Sequence, residues 1–321
     1  MKSILRRLLA LVTLLMLLPG CGKSSGERET TEIRVGSLKG PTSIGIIRLI
    51  HESENNNYSF TMETQADLLL SAMVSGELDI ALIPANVASV LYNKAKGGIS
   101  VIDINTLGVL YMVSGDSSIK TIKDLAGRTV YTTGAGTTPE YVLRYLLDQN
   151  GLSDQVNIEF KSEATEVAAL LKEDASVVGM LPQPFATVAL QQNEALSVVL
   201  DMNAEWDALN NGSRMVTGVT VVRSDFLKEH PEAVDAFLKD HAEAAAFVNS
   251  DTETASAYVA EAGIIEKAPI AEKAIPYCNL VCISGSDMKD ALSAYLKVLF
   301  DQDPASVGGA LPADDFYYGA K

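Results

Sequence analysis

Three cysteines, three histidines and one tryptophan in 321 residues leave little material for a disulfide framework or a metal site built on local spacing. His51, His230 and His241 are scattered, and no Cys/His spacing suggests zinc, so no metal is expected. Cys278 and Cys282 stand four apart. Along a strand that is roughly 13 Å, too far for a disulfide, whereas a helical turn would bring them closer. The flanking Asn279-Leu280-Val281 and Ile283 read as a short buried strand, so two free thiols are expected. Positive charge is scarce too: 25 Lys and Arg face 41 Asp and Glu, a net charge of −16. Such a surface repels phosphate backbones and anionic headgroups, which excludes nucleic acid as a partner. No Gly-x-Ser-x-Gly elbow, no His-Glu-x-x-His and no nucleophile beside a base occurs, so neither a catalytic site nor a cofactor is expected.

The chain starts with positive residues Lys2, Arg6 and Arg7, followed by an apolar run over residues 8–18 and then Leu18-Pro19-Gly20-Cys21. A charged start, a short apolar core and a small residue before the cut describe a secretory signal. The run falls well short of the roughly 20 residues that span a bilayer. The cysteine behind a small residue resembles the lipobox of bacterial lipoproteins, in which cleavage precedes the cysteine and lipid is attached to its thiol. Pro19 stands where a small or aliphatic residue is usual. The other reading is an ordinary signal with an incidental cysteine. Residues 1–20 are therefore expected to be a signal peptide, and residues 21–32, polar and rich in Gly and Ser, a flexible tether. With the three leader cations removed, the remaining chain carries about −19. It is expected outside the cytoplasm, held to the cell membrane by lipid on Cys21.

From Ile33 onward, short apolar runs alternate with helical stretches, and 47 % hydrophobic residues promise a substantial core. Strands are expected at Ile33, Tyr58, Ile80 and Val101, then again at Val109, Thr129, Asn157, Val177, Ser197 and Met215. The end of the chain reads as mainly helical. This is an α/β pattern, and it predicts parallel sheet covered on both faces. Two such series with a helical C-terminal part suggest two lobes, 33–108 plus 221–321 and 109–220. Extended crossings are expected near Thr106 to Ser114 and Met215 to Arg223.

Several phrases converge: Gly36-Ser37-Leu38-Lys39-Gly40-Pro41-Thr42, Ser75-Gly76-Glu77-Leu78-Asp79-Ile80-Ala81, Ile122-Lys123-Asp124-Leu125-Ala126-Gly127 and Ser224-Asp225-Phe226-Leu227-Lys228-Glu229-His230-Pro231. In this order they resemble the substrate-binding proteins of ABC importers, in the group that includes binders of sulfonates, taurine, nitrate and thiamine pyrimidine precursors. The resemblance covers nearly everything after the tether. It implies a periplasmic-binding-protein-like fold of two α/β lobes joined by a hinge, with a small molecule clamped between them. The protein would act as a monomer and deliver its ligand to a membrane permease powered by a separate ATPase.

In open α/β sheets, ligands bind beyond the C-terminal ends of strands. The strongest local candidate is Thr132-Thr133-Gly134-Ala135-Gly136-Thr137-Thr138-Pro139. Its glycines permit close backbone approach, and its free N–H groups open a helix. Thr133, Gly134, Gly136, Thr137 and Thr138 are the expected contacts, although Thr138 could simply be a cap. It is neither a dinucleotide fingerprint nor a P-loop. Ser37, Leu38, Lys39, Gly40 and Thr42 form the partner from the first lobe. Asn86 either caps its helix or offers an amide, and Thr106 ends a strand. Gln183, held between Pro182 and Pro184, could present a fixed donor and acceptor. Trp206 reads as buried packing, with an aromatic wall as the alternative.

Lys39 and Arg144 are the only basic residues near these loops, so a neutral or partly cationic organic ligand fits better than nitrate or a sulfonate. The competing function is an enzyme on the same scaffold, such as the menaquinone-pathway enzymes or pyrimidine synthases. Those work inside the cell and would not carry Leu18-Pro19-Gly20-Cys21. A sensor ectodomain would need a following membrane helix or signalling domain, and none is seen.

Overall fold

A computed structural model describes residues 31–320. The signal, Cys21 and most of the tether lie outside the described residues.

The first lobe opens with β1 (Ile33–Leu38), buried except at Arg34 and Leu38. Two short helices follow, α1 (Pro41–Gly45) and α2 (Ile47–His51), then β2 (Tyr58–Glu63) and α3 (Ala66–Ser75). The sequence predicts one helix over Thr42 to His51. The chain instead kinks at Ile46, where φ is −111°. Gly76 ends α3 at φ 78°, a left-handed stop that glycine adopts without strain. Next come β3 (Ile80–Pro84), buried except at its last residue, α4 (Ala85–Ala95) and β4 (Ile99–Leu107).

The second lobe holds β5 (Leu110–Ser114), β6 (Thr129–Thr132), α5 (Thr138–Gln149), β7 (Asn157–Phe160) and α6 (Ala164–Glu173). It continues with β8 (Val178–Pro182), α7 (Phe185–Gln192), β9 (Ser197–Asp201) and α8 (Met202–Ala208). Asp201 caps α8 by accepting from the backbone of Asn203 and Ala204. The chain then returns through β10 (Val216–Arg223), α9 (Ser224–Glu229), α10 (Pro231–Ser250), α11 (Thr252–Glu261), α12 (Ala268–Ala274), β11 (Leu280–Ile283) and α13 (Gly285–Gln302).

The strands form two sheets, ordered β11-β4-β10-β3-β1-β2 and β7-β6-β8-β5-β9. β1, β2 and β3 run parallel, as do β6, β7 and β8. The expectation of purely parallel sheet needs correction. β10 lies antiparallel between β3 and β4, and β5 lies antiparallel between β8 and β9. These strands lead out of the inter-lobe crossings, so they enter their sheets against the direction that βαβ units impose. The proposed limit at residue 220 cuts through β10, all of which pairs in the first sheet. The second crossing therefore precedes Val216.

Helices of the return segment fasten the two lobes. Trp206 is fully buried, with its ring 4.8 Å from Tyr145 and 5.4 Å from Tyr295 of α13. Its indole donates to Ser213 Oγ at 3.2 Å, so it packs and caps a loop and does not wall a ligand. Cys278 and Cys282 are free, the first fully buried and the second half-buried. Among the described residues, no helix is long and apolar enough to cross a membrane.

Candidate functional site

The parallel strands of each sheet end on the same side, and the helices that follow them begin there. Between these ends lies a cleft of about 450 Å³. The first lobe lines it with Leu38, Lys39, Pro41 and Thr42 after β1, with Thr64, Gln65, Ala66 and Asp67 after β2, and with Pro84. The second lobe supplies Thr133, Gly134, Ala135, Thr137, Thr138 and Pro139 after β6, Lys161 to Thr165 after β7, and Pro182 and Phe185 after β8. Leu110 and Thr217 close it next to the crossings.

Local hydrogen bonds decide which donors are free. The Leu38 carbonyl accepts from both Thr42 Oγ1 (2.9 Å) and Ser43 Oγ (2.6 Å), which locks the turn into α1. Ser37 is buried against Ser43, 2.7 Å between hydroxyls, and does not reach the cleft. Gly40 has φ 151°, and a Cβ there would stand 3.9 Å from the Phe185 ring across the cleft. It shapes the rim without lining it. In the second lobe, Thr137 Oγ1 donates to the Gly134 carbonyl at 2.7 Å. Gly136 N–H donates to Glu140 Oε2 at 2.7 Å, so a carboxylate of the protein already occupies the amide that the sequence assigned to a ligand.

Four further expected contacts lie away from the walls. Asn86 is fully buried; its amide donates to the carbonyls of Gly136 and Ser306, both at 3.1 Å, and accepts from Thr138 Oγ1 at 3.3 Å. It bridges the lobes, neither capping α4 nor facing the cleft. Thr106 is buried in β4 and donates to Asn105 Oδ1. Gln183 is buried, and its Oε1 accepts from Thr187 N at 3.2 Å and Thr187 Oγ1 at 2.9 Å, holding the first turn of α7. Gly136 sits behind its own turn. The structure thus brings Leu38, Lys39, Thr42, Thr133, Gly134, Thr137 and Thr138 together, and leaves Ser37, Gly40, Asn86, Thr106, Gly136 and Gln183 outside.

The charge inventory differs from the expected one. Arg144 is turned to solvent on α5, paired with Glu140 at 2.6 Å. Lys161 takes its place in the cleft, 3.7 Å from Glu159 and 5.2 Å above the Tyr131 ring. Asp67 and Glu163 add two carboxylates, each at the start of a helix, where the dipole favours it. Glu163 also caps α6. Thr64, Gln65 and Asp67 are not among the expected contacts, since no glycine-rich turn marks the segment after β2. Pairing parallel to β1 places that end on the same rim. Behind the cleft, Tyr111 Oη donates to the Tyr277 carbonyl at 3.2 Å, and burial pushes its phenol well above the usual range.

This two-sheet, two-lobed architecture is a periplasmic-binding-protein-like fold, and known structures share it. An ABC transporter structure from Parabacteroides distasonis superposes with a TM-score of 0.75 at 24 % identity, covering 89 % of this chain and 98 % of its own. The periplasmic aliphatic sulphonate binding protein SsuA from Escherichia coli gives 0.69 at 16 % identity, covering 87 % and 90 %. A Candida albicans gene product described as having the generic periplasmic binding protein fold gives 0.61 at 15 %, covering 89 % and 92 %. In sequence, residues 96–255 match the family described as NMT1/THI5 like. No curated protein matches the chain in sequence.

Proposed function

We propose that this protein is the extracytoplasmic solute-binding component of an ABC import system, taking a small organic molecule into the inter-lobe cleft and handing it to a membrane permease with its ATPase. The observation that carries this reading is the cleft itself, lined from both lobes by strand ends and helix starts. Its volume of about 450 Å³ suits a small organic ligand. The sulphonate-binding and ABC-transporter proteins of similar fold support it further.

Two lysines and two carboxylates line the cleft, so its formal charge sums to zero. A ligand carrying both an anionic group and a donor or cationic group matches this better than a bare inorganic anion. Lys39 and Lys161 come from opposite lobes, so one anionic group could bridge them and favour the closed arrangement by differential affinity. The lobes would hinge at residues 107–110 and 209–215. The signal with Cys21 supports lipid anchoring, and Cys21→Ala should release the protein from membranes or block its maturation.

A thermal-shift screen of alkanesulfonates, amino acids, betaines and heterocycles tests the reading. A ligand at 100 times its dissociation constant stabilises by about 2.7 kcal/mol. Solution scattering should then show compaction with the hit. A hit that leaves the molecule's dimensions unchanged, and binds Lys39→Ala and Lys161→Ala as tightly as the parent, would place its site elsewhere.

A further inference from the structure

Away from the cleft, three side chains remote in sequence meet inside the first lobe. Asp103 lies on β4, His241 in α10 and Cys282 on β11, and their potential ligand atoms all lie within 4.8 Å of one another. Asp103 and His241 are fully buried, whereas Cys282 is half-buried on the edge strand of the sheet. His241 Nδ1 stands 3.1 Å from Asp103 Oδ2. Two ligands each about 2.0–2.1 Å from one tetrahedral ion stand about that far apart. Asp103 Oδ1 accepts from Thr220 Oγ1 at 2.8 Å, which orients the carboxylate as an outer-shell partner would. The Cys282 thiol faces the His241 ring and also reaches the Leu238 carbonyl, at 3.9 Å, while His241 Nε2 has no hydrogen-bond partner although it is buried.

We propose that Asp103, His241 and Cys282 bind one thiophilic divalent transition-metal ion, with zinc as the reference case. Thiolate and imidazole select such ions over magnesium and calcium, which take oxygen ligands. Three protein ligands leave a fourth position open, and the half-buried Cys282 gives access from the sheet edge. The charges also balance. A carboxylate beside a protonated imidazole is neutral, and so is a divalent ion with a carboxylate, a thiolate and a neutral imidazole. The ion displaces one proton from the ring and one from the thiol, so no uncompensated charge is buried. Once bound, it would tie the edge strand to β4 and to α10.

The test uses the full chain, stripped with chelator and titrated with cobalt(II). One equivalent should bind, giving a thiolate-to-cobalt charge-transfer band and tetrahedral ligand-field bands. Zinc should abolish these bands and magnesium should not. Cys282→Ala should lose the charge-transfer band and weaken cobalt binding at least about tenfold. Cys278→Ala and Cys21→Ala should keep both, with circular dichroism confirming that every variant is folded. Absence of the band in the parent protein, or its survival in Cys282→Ala, overturns the proposal and leaves the cluster as a buried ion pair.

Discussion

Replacing Asn86 by alanine removes one amide that serves three partners in two lobes. The carbonyls of Gly136 and Ser306 lose their donor, and the Thr138 hydroxyl loses its acceptor. Each net bond contributes about 1 kcal/mol, so the loss should reach about 3 kcal/mol. The residues from 31 to 320, at about 2.1 cal/mol/K each, give a melting entropy of roughly 0.6 kcal/mol/K. The midpoint should therefore fall by about 5 °C. Asn86→Asp sharpens the test. Its carboxylate can still accept from Thr138, but it turns an acceptor towards the carbonyls of Gly136 and Ser306 and buries a charge. It should melt below the alanine variant. Calorimetry of the three proteins without ligand decides the matter. A shift under about 1 °C for alanine, with aspartate no worse, would mean that this amide does not join the lobes in solution.

Gln183→Ala should cost about 1–2 kcal/mol in chemical denaturation by freeing the start of α7, and should leave ligand affinity within twofold. Lys39→Ala and Lys161→Ala should each weaken an anionic ligand by about 1.5–3 kcal/mol in titration calorimetry, with little change in melting. Equal affinity for both would remove the lysines from the site. Gly115→Ala would place a Cβ 2.9 Å from the carbonyls of Ala175 and Ala195, and this overpacking should cost about 1–3 kcal/mol of stability. Asp116 accepts from Ser118 and pairs with Arg128, which together hold its carboxyl down to about 2. A depressed folded pKa stabilises the native state above the unfolded value near 4 and loses that contribution as pH falls towards 2. The melting temperature of Asp116→Asn should accordingly fall less steeply than the parent's between those limits, and parallel curves would refute the assignment.

Much of the fold was legible because apolar periodicity is local. β3 is apolar without interruption, and Pro139 stands in the first turn of α5. The direction of β5 and β10 was not legible, since antiparallel insertion depends on where the chain re-enters a sheet and leaves no mark on side-chain pattern. The turn after β6 was found from its glycines. The fate of its amides was not, because whether Glu140 folds back onto Gly136 is a matter of rotamer and not of composition. Asn86, Thr106 and Gln183 share one feature: each is a polar residue at or near a strand end whose side chain bonds to other parts of the protein. No local spacing marks the cluster of Asp103, His241 and Cys282, because its members lie on three separate elements.

The position of β10 has a consequence for how the chain is made. Residues 110–201 contain every strand of the second sheet, so that lobe can assemble from one unbroken stretch as it emerges. The first sheet cannot. β10 fills the gap between β3 and β4, and the entire second lobe is synthesised before it appears. Until then β3 and β4 each present an open edge of backbone donors and acceptors, fully apolar along most of β3. The nascent first lobe is therefore the part that most needs shielding, and pairing β10 with both neighbours is a late, long-range step in assembly.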